Sequence, residues 1–538
     1  MRYYVTFQKF KSAIFKRIKK IKCTNIKRGY IWKKRNNFFL PIEAFGCTQE
    51  NYSFQKSYKF HKQIKFSILV PLYNTPEQFL KEMIASVLFQ TYENWELCLA
   101  DGSDKEHSYI ENICKKLINK DKRIKYLKLE CNNGISENTN ACIKMATGNY
   151  ISLFDHDDLL HPYALFETMK AICEKNADFI YTDEAIFQSP HLHKIKSSCS
   201  KPDFAPDFFH STNYLCHFSS FKKSLLDKTG LFNSKTDGAQ DFDLFLRLSE
   251  NTNNIVHVPK CLYYWRASSS STASGIQTKS YAIEAGKLAL ENHFKRGNIP
   301  VTVSVYNQVL YKISYLTQET PLVSIIILNE NTKQLVRCIE SIKSITSFSN
   351  YEIIIINTTH KSYISKEEVI KTFTWKDLEN HTAMYNFAAK KAHGDYIIFL
   401  DSHIKVKTAN WIDEMLMFTK KNNTGAVGAK LLFKNNTILN NGYIQNINKK
   451  VLSVKNEYPF RDIAVQNYDA ITAKCMMISK KLFFEYDGFS EKFEKEFYDI
   501  DLCLRLRKDN YLIVWTPFSE LYICNKIKNK LRQVINQE

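Results

Sequence analysis

No run of apolar residues in this chain approaches the roughly 20 that a helix needs to cross a bilayer. The strongest, Val323–Leu328 and Ile353–Ile356, are far shorter, and the amino terminus lacks the apolar core of a secretory signal. Membrane-spanning and exported classes are therefore not expected. The 14 cysteines include no CxxC pair and no regular spacing, which argues against a zinc ribbon or a disulfide scaffold. Cys98, Cys142 and Cys503 fall inside apolar periodic segments, as reduced core residues do. A cytosolic chain without structural zinc is the simplest account. With 44% hydrophobic and 24% charged residues the composition is that of a soluble globular protein. At 538 residues the chain is too long for one core, and two domains of roughly 200–250 residues are expected.

Acidic residues are missing from the first 42 positions, where 13 Lys/Arg lie between Arg2 and Arg35. Tyr3, Tyr4, Phe7, Phe10, Ile14, Phe15, Ile18 and Ile21 are interleaved with them near helical spacing. A basic amphipathic segment with aromatics suits an anionic membrane surface, here the inner face of the cytoplasmic membrane. A solvated tail or a nucleic-acid arm would share the charge, but no nucleic-acid recognition motif accompanies it. The chain thus divides into a basic segment (1–64), two domains (65–310 and 320–525) and a short basic tail (526–538).

The stretch Ile151–Pro162 organises the rest. Ile151, Leu153 and Phe154 read as a strand buried on both faces, and it runs directly into Asp155, His156, Asp157 and Asp158. Three carboxylates in four positions repel one another unless a cation compensates them. At the carboxyl end of a parallel strand, that cation is expected to be a divalent metal carrying phosphates. A solvated acidic turn is the alternative. Upstream, Phe66–Leu72 is a strand, Thr75-Pro76-Glu77-Gln78 reads as a capped helix start, and Trp95–Ala100 is a strand ending at Asp101. Short strands alternating with helices predict an α/β fold with a mostly parallel sheet.

The order then repeats. Val323–Leu328, Tyr351–Ile356 and Gly394–Asp401 mirror Phe66–Leu72, Trp95–Ala100 and Gly148–Asp155, and DFDLFLRLSE from Asp241 mirrors DIDLCLRLRK from Asp499. A period of domain length marks a duplicated fold. The break is expected near Tyr311–Glu319.

SILVPLYNT (Ser67–Thr75), LADGSD (Leu99–Asp104), GNYISLFDHDD (Gly148–Asp158), AQDFDL (Ala239–Leu244) and YYWR (Tyr263–Arg266) together resemble the family 2 glycosyltransferases. The resemblance covers Phe66 to about Asn525 and implies two tandem GT-A (Rossmann-like) domains. It further implies an inverting hexosyl or deoxyhexosyl transfer from a nucleotide-sugar donor, as in bacterial proteins that build O-antigen, capsule or related surface polysaccharides. The acceptor would be a glycan or a lipid-linked sugar, and no nucleic-acid partner is implied. Mg²⁺ or Mn²⁺ would be held by Asp157, with Asp155 at the same metal or at the nucleotide ribose. Asp158 is assigned to a helix cap. Asp101 would hold the base, with Pro71, Tyr73 and Asn74 completing its pocket or serving as ordinary turn residues.

Asp241 would be the catalytic base, with Asp243 serving the cap. Gln240 stands where the family often has Glu. Arg266, ahead of the Ser268–Thr272 run, would contact the diphosphate or form a surface ion pair. Tyr264 stands where many relatives carry a metal-ligating His. Asp183 and Glu184 are expected on the acceptor side, Trp265 is offered for sugar stacking, and His217 reads as a structural histidine.

In the second copy Asp401, His403 and Asp499 are the counterparts of Asp155, Asp157 and Asp241. A metal could still bind Asp401 and the His403 imidazole, since histidine tolerates Mn²⁺, but with His403 in place of aspartate and Leu521–Cys524 standing where relatives often show a histidine, a weakened or inactive second site is expected. A non-catalytic scaffold of the same fold that binds glycan or partner enzymes is the rival reading, and the intact acidic cluster with Asp241 argues against it for the first domain.

Overall fold

The apolar run Phe66–Leu72 forms strand β1 and is buried along its whole length, as a strand covered on both faces must be. The structure is a computed structural model, and it describes residues 42–188, 191–267, 280–307, 309–317, 319–357, 362–376, 380–439, 442–445, 451–453 and 459–524. The other strands of the first sheet are β2 (Trp95–Asp101), β3 (Ile124–Lys128), β4 (Tyr150–Leu153), β5 (Leu159–Leu160), β6 (Phe179–Gln188), β7 (His191–Cys199), β8 (Ser219–Lys222) and β9 (Ile255–Ala267). They lie in the order β3-β2-β1-β4-β8-β6-β9-β5, with β7 added on β6. Pairing is parallel from β3 to β4, as expected. It turns antiparallel where β8 lies against both β4 and β6, so the sheet as a whole is mixed.

After the hairpin β10 (Val301–Tyr306) and β11 (Leu310–Tyr315), a second sheet repeats the plan. Its strands are β12 (Val323–Leu328), β13 (Tyr351–Asn357), β14 (Ile370–Thr374), β15 (Tyr396–Leu400), β16 (Ile404–Val406), β17 (Thr424–Leu432), β20 (Gln466–Tyr468), β21 (Cys475–Ser479) and β22 (Leu512–Ile523). The short pair β18 (Tyr443–Gln445) and β19 (Val451–Ser453) lies outside it. The order β14-β13-β12-β15-β21-β17-β22-β16 is that of the first sheet, element for element. The duplication extends to buried polar detail. Ser67 Oγ donates to Glu96 and accepts from the Gly148 N–H, and Ser324 Oγ does the same between Glu352 and Gly394. A Cβ at Gly148 would come within 2.6 Å of the Lys65 carbonyl oxygen, which is why glycine stands just before the strand that delivers the acidic loop.

Several local expectations are corrected. Residues 42–57, assigned by charge to the basic segment, belong to the fold: Ile42, Phe45 and Cys47 pack on Leu159, Phe187 and Tyr264, and a helix covers Gln49–Ser57. The first domain runs to Tyr315 rather than 310, because β11 pairs with β10 and its Leu310, Tyr311 and Ile313 join the first core; the break itself lies within the expected Tyr311–Glu319. Thr75 does not cap the following helix, which spans Glu77–Leu88. Its hydroxyl is taken by His156 Nδ1 at 2.9 Å instead.

The two copies meet through a buried ion pair, Asp207–Lys421 at 2.6 Å, with Asn467 donating to the same carboxylate. Cys98, Cys142 and Cys503 are buried and free, as expected. The basic arm 1–41, the Ser268–Thr272 run and the carboxyl-terminal tail lie outside the described residues. No helix among the described residues is long and apolar enough to cross a membrane.

Candidate functional site

β4 ends at Leu153, and the Phe154 N–H continues the ladder to the Leu69 carbonyl, so Asp155 leaves the sheet at the carboxyl end of a central parallel strand. The three carboxylates then part company. Asp158 is fully buried and accepts the Tyr263 hydroxyl at 2.6 Å and the Arg266 N–H at 2.7 Å. Burial, with Asp157 and Asp155 as like-charged neighbours, raises its carboxyl well above the usual range. Its assignment to a helix cap is therefore corrected: the next helix starts after Tyr163, and Asp158 ties the acidic turn to β9. Asp157 is half-buried and also raised, by burial first, with His156 pulling the other way. Asp155 lies on the wall of a cavity of about 590 Å³, with 48% of its side chain open. Burial would raise it too, yet the His217 imidazole beside it brings it below its ordinary value.

His217 reaches Asp155 because of strand register. In the antiparallel pairing of β4 with β8 Leu153 faces Ser219, so two steps further along each chain Asp155 meets His217. The His217 Nε2 to Asp155 Oδ2 distance is 3.2 Å. On its other side the ring faces Glu184, whose Oε2 accepts the His217 backbone N–H at 2.8 Å and pairs with Lys201 at 3.2 Å. Burial would raise Glu184, but Lys201 and His217 bring it down to about 2. His217 stacks on Tyr263 with ring centroids 4.9 Å apart. A structural role does not describe this residue, which lines the cavity beside the acidic loop. The motif NYLCHFS announces a polar residue before a short strand, but which carboxylate it meets depends on pairing with a strand some 65 residues earlier.

Asp241 enters the same cavity from the helix Gln240–Ser249. Phe242, Leu244, Phe245, Leu246 and Leu248 bury the apolar face of that helix and fix its approach. Asp241 lies in the first turn, where the unpaired N–H groups favour an anion. Its Oδ1 accepts the Phe242 N–H at 2.8 Å and its Oδ2 accepts Asn213 Nδ2 at 3.0 Å. Burial nonetheless raises its carboxyl, a direction that favours proton uptake. Gln240 accepts the Gly238 N–H at 2.9 Å, and Gly238, at φ +98°, lets Tyr281 lie against the loop where a Cβ would come within 2.6 Å of the ring. Asp243, expected to serve the cap, instead makes a buried ion pair with Arg247 one turn later.

Of the other predicted residues, Pro71 and Trp265 line the cavity and the rest fall elsewhere. Arg266 is neither at the cavity nor on the surface. It is fully buried, with its guanidinium over the Phe79 and Phe187 rings, paired with Glu82 at 2.8 Å and donating to the Asp157 carbonyl, so it shapes the acidic turn from behind. Tyr264 faces Phe45 and His161, on the side of β9 away from the cavity, whereas the neighbouring Trp265 lines it. Asp183 and Glu184 are buried under His257 and His217 and do not open to an acceptor. Asp101 is buried and accepts the Tyr126 hydroxyl and Lys128 Nζ. Pro71 lines the cavity; Asn74, at φ +48°, is paired with Asp104, and Tyr73 stands exposed beside it.

The second copy builds a smaller version. Its pocket, about 110 Å³, is lined by Glu330, Asp401, Ser402, Lys474 and Asp499 among others. Asp499 is buried, with its oxygens on the Ala473 and Ile500 N–H groups. Ligand atoms of Glu330, Asp401 and His403 lie within 4.8 Å of one another. Lys474, however, pairs with Asp401 from the place that His217 takes in the first copy.

A divalent cation suits the first site. The cavity wall offers a hard carboxylate on Asp155 with the His217 imidazole alongside, and the half-buried Asp157 follows two residues on in the same turn. Comparison with known proteins agrees with a duplicated architecture. The family model described as "Glycosyl transferase family 2" matches residues 67–230 and again 323–486, well over half of the chain. Protein y4gI of Sinorhizobium fredii is 32% identical over 85% of this chain and 52% of its own length. The O-antigen biosynthesis protein RfbC of Myxococcus xanthus is 28% identical over 85% of this chain and 37% of its own. The chain thus spans about half or less of the length of these relatives. Among solved structures, S. aureus TarS 1-349 in complex with UDP-GlcNAc matches 42% of this chain and 65% of its own with 22% identity and a TM-score of 0.35.

Proposed function

We propose, from the premise that this chain belongs to glycosyl transferase family 2, that it moves a sugar from a nucleotide diphosphate sugar to an acceptor hydroxyl, with inversion, at the first of its two sites. One observation carries the reading: Asp155 and Asp241 open on a single cavity of about 590 Å³, the first held below its ordinary pKa and the second raised. Two carboxylates pushed apart in this way divide the work of a displacement. Asp155 stays charged and, with Asp157, would hold Mg²⁺ or Mn²⁺. Asp241 takes the proton of the attacking hydroxyl, and its Asn213 and Phe242 contacts fix both oxygens for that task. The cation would neutralise the charge that grows on the diphosphate as the sugar leaves. Pro71, Tyr73, Asn74 and Asp101 are assigned to the base end of the donor. Trp265, on the cavity wall, suits a sugar ring.

The resemblance to RfbC supports a surface polysaccharide as the product class, with a glycan or lipid-linked acceptor. The second copy is assigned a weakened site that serves packing or acceptor binding, because Lys474 already neutralises Asp401. A nucleotide-sugar panel read by thermal shift tests the function: one donor should raise the melting temperature only with Mn²⁺ present. Absence of any shift across the panel would contradict it.

The basic arm between Arg2 and Arg35 is assigned to an anionic membrane surface, where lipid-linked acceptors are found. Removing residues 1–41 should release the protein from phosphatidylglycerol vesicles at about 0.1 M salt, where such attraction still acts. Unchanged sedimentation with the vesicles would contradict that assignment.

A further inference from the structure

We propose that His217 is a third protein ligand of the divalent cation, beside Asp155 and Asp157, with Glu184 as the carboxylate that orients its imidazole. The inference rests on the donor site proposed above. Three features of the first copy lead to it, and the second copy supplies a contrast.

The first feature is spacing. His217 Nε2 stands 3.2 Å from Asp155 Oδ2. Two ligands at right angles on one Mg²⁺, each about 2.1 Å from the ion, are about 3.0 Å apart. The pair is therefore spaced for a shared ion, which the Asp157 carboxylate has to swing in to reach: among the described residues, ligand atoms of three such side chains lie within 4.8 Å of one another only at Glu330, Asp401 and His403. The second feature is the far side of the ring. Nδ1 is buried with no hydrogen-bond partner, 3.6 Å from Glu184 Oε2 and just outside hydrogen-bond length. Glu184 is itself held by Lys201 and by the His217 backbone N–H. A metal-bound histidine commonly donates its other nitrogen to a carboxylate in this way. A small tightening would complete that bond. Third, the ring is stacked on Tyr263, whose hydroxyl is fixed on Asp158, so its plane is set by the acidic turn it serves.

Position 264 cannot supply the imidazole, since it holds tyrosine and packs against Phe45 and His161. The second copy shows the alternative at the same register. There Leu400 faces Cys475, and the next pair outward is Asp401 with Lys474. A charged ammonium has no lone pair to give a metal. It neutralises the carboxylate directly instead. The residue opposite the first aspartate of each loop thus differs in kind: it pairs with the carboxylate in both copies, but only the imidazole of the first can give up a proton and offer a lone pair to a metal.

The test uses the full chain carrying His403→Gln, which removes the imidazole of the second copy, loaded with Mn²⁺ and UDP. Pulsed electron paramagnetic resonance on natural-abundance and ¹⁵N-histidine protein should show a histidine nitrogen coupled to Mn²⁺. The coupling should vanish with His217→Gln, and Mn²⁺ affinity in the presence of UDP should fall about 10–100-fold. Mn²⁺ and UDP bound together without histidine coupling, or with coupling that survives His217→Gln (as it would if His156 were the source), would overturn the ligand assignment and leave the donor site standing. No joint binding of Mn²⁺ with any of the uridine, guanosine, cytidine, adenosine or thymidine diphosphates would overturn the donor site itself. If that variant folds poorly, His156→Gln in the same background decides between the two imidazoles: coupling that persists supports His217, and coupling that is lost overturns the assignment.

Discussion

Replacing Asp241 by Asn is expected to lower the rate of sugar transfer by about 10²–10⁴-fold, the range over which a positioned general base contributes. The asparagine keeps the size of the side chain and one acceptor oxygen, so the Phe242 contact and the cavity wall persist, and donor affinity should change little. What is lost is the capacity to take a proton. Because burial raises the Asp241 carboxyl above its ordinary value, the charged, active form is the one depleted as pH falls. The wild-type acid limb should therefore lie above the usual aspartate range. Removing the Asn213 contact, which favours the charged form at 3.0 Å, should move that limb to still higher pH. Initial-rate measurements across pH with saturating donor read both effects. The matching change in the second copy, Asp499→Asn, should leave transfer within about twofold, since that carboxylate is buried with both oxygens on backbone N–H groups. Undiminished activity in Asp241→Asn would remove the base assignment.

The second large effect concerns the acidic turn. Asp157→Ala should cost about 2–4 kcal/mol of transition-state stabilisation, the scale on which preorganised charge opposite a leaving oxygen acts. Burial raises the Asp157 carboxyl in the free protein. An incoming cation favours the ionised form of a carboxylate it binds. Loss of Asp157 should therefore abolish the Mn²⁺-dependent part of donor binding, measured by titration calorimetry with the nucleoside diphosphate of the donor that the panel selects, while leaving the fold intact. Asp158 behaves differently. Its carboxyl is satisfied by Tyr263 and Arg266 inside the protein, so its loss should register in stability. A large affinity loss in Asp158→Asn with none in Asp157→Ala would reverse these roles.

The parts of this site that lie on one short stretch were legible from residue order. β4 and the carboxylates that leave it are contiguous, so their place at the end of an apolar strand could be read from residue order alone. The helix carrying Asp241 announced itself by its apolar period, and the role proposed for that carboxylate came from the motif around it. The misassigned residues share a cause. Asp158 and Asp243 fit short-range capping rules, but their partners, Tyr263 and Arg247, become available only through burial against β9 or one helical turn along. Arg266 looked like a phosphate fork because it is a basic residue next to a Ser/Thr run. Two aromatic rings and Glu82 turn it inward. His217 was missed for a topological reason: its contact with Asp155 exists only because β8 inserts antiparallel beside β4, and no local spacing encodes that insertion. Residues 42–57 were grouped by charge with the arm before them, whereas Ile42 and Phe45 are held by the apolar floor of Tyr264 and Phe187.

Diffraction from crystals soaked with Mn²⁺ and the nucleoside diphosphate of the donor that the panel selects tests the central claim most directly. An anomalous manganese peak beside Asp155 and Asp157, with the diphosphate against it in the cavity that Asp241 shares, is the predicted result. Nucleotide and metal seated at Asp401 in the second copy, with the first cavity empty, would contradict it.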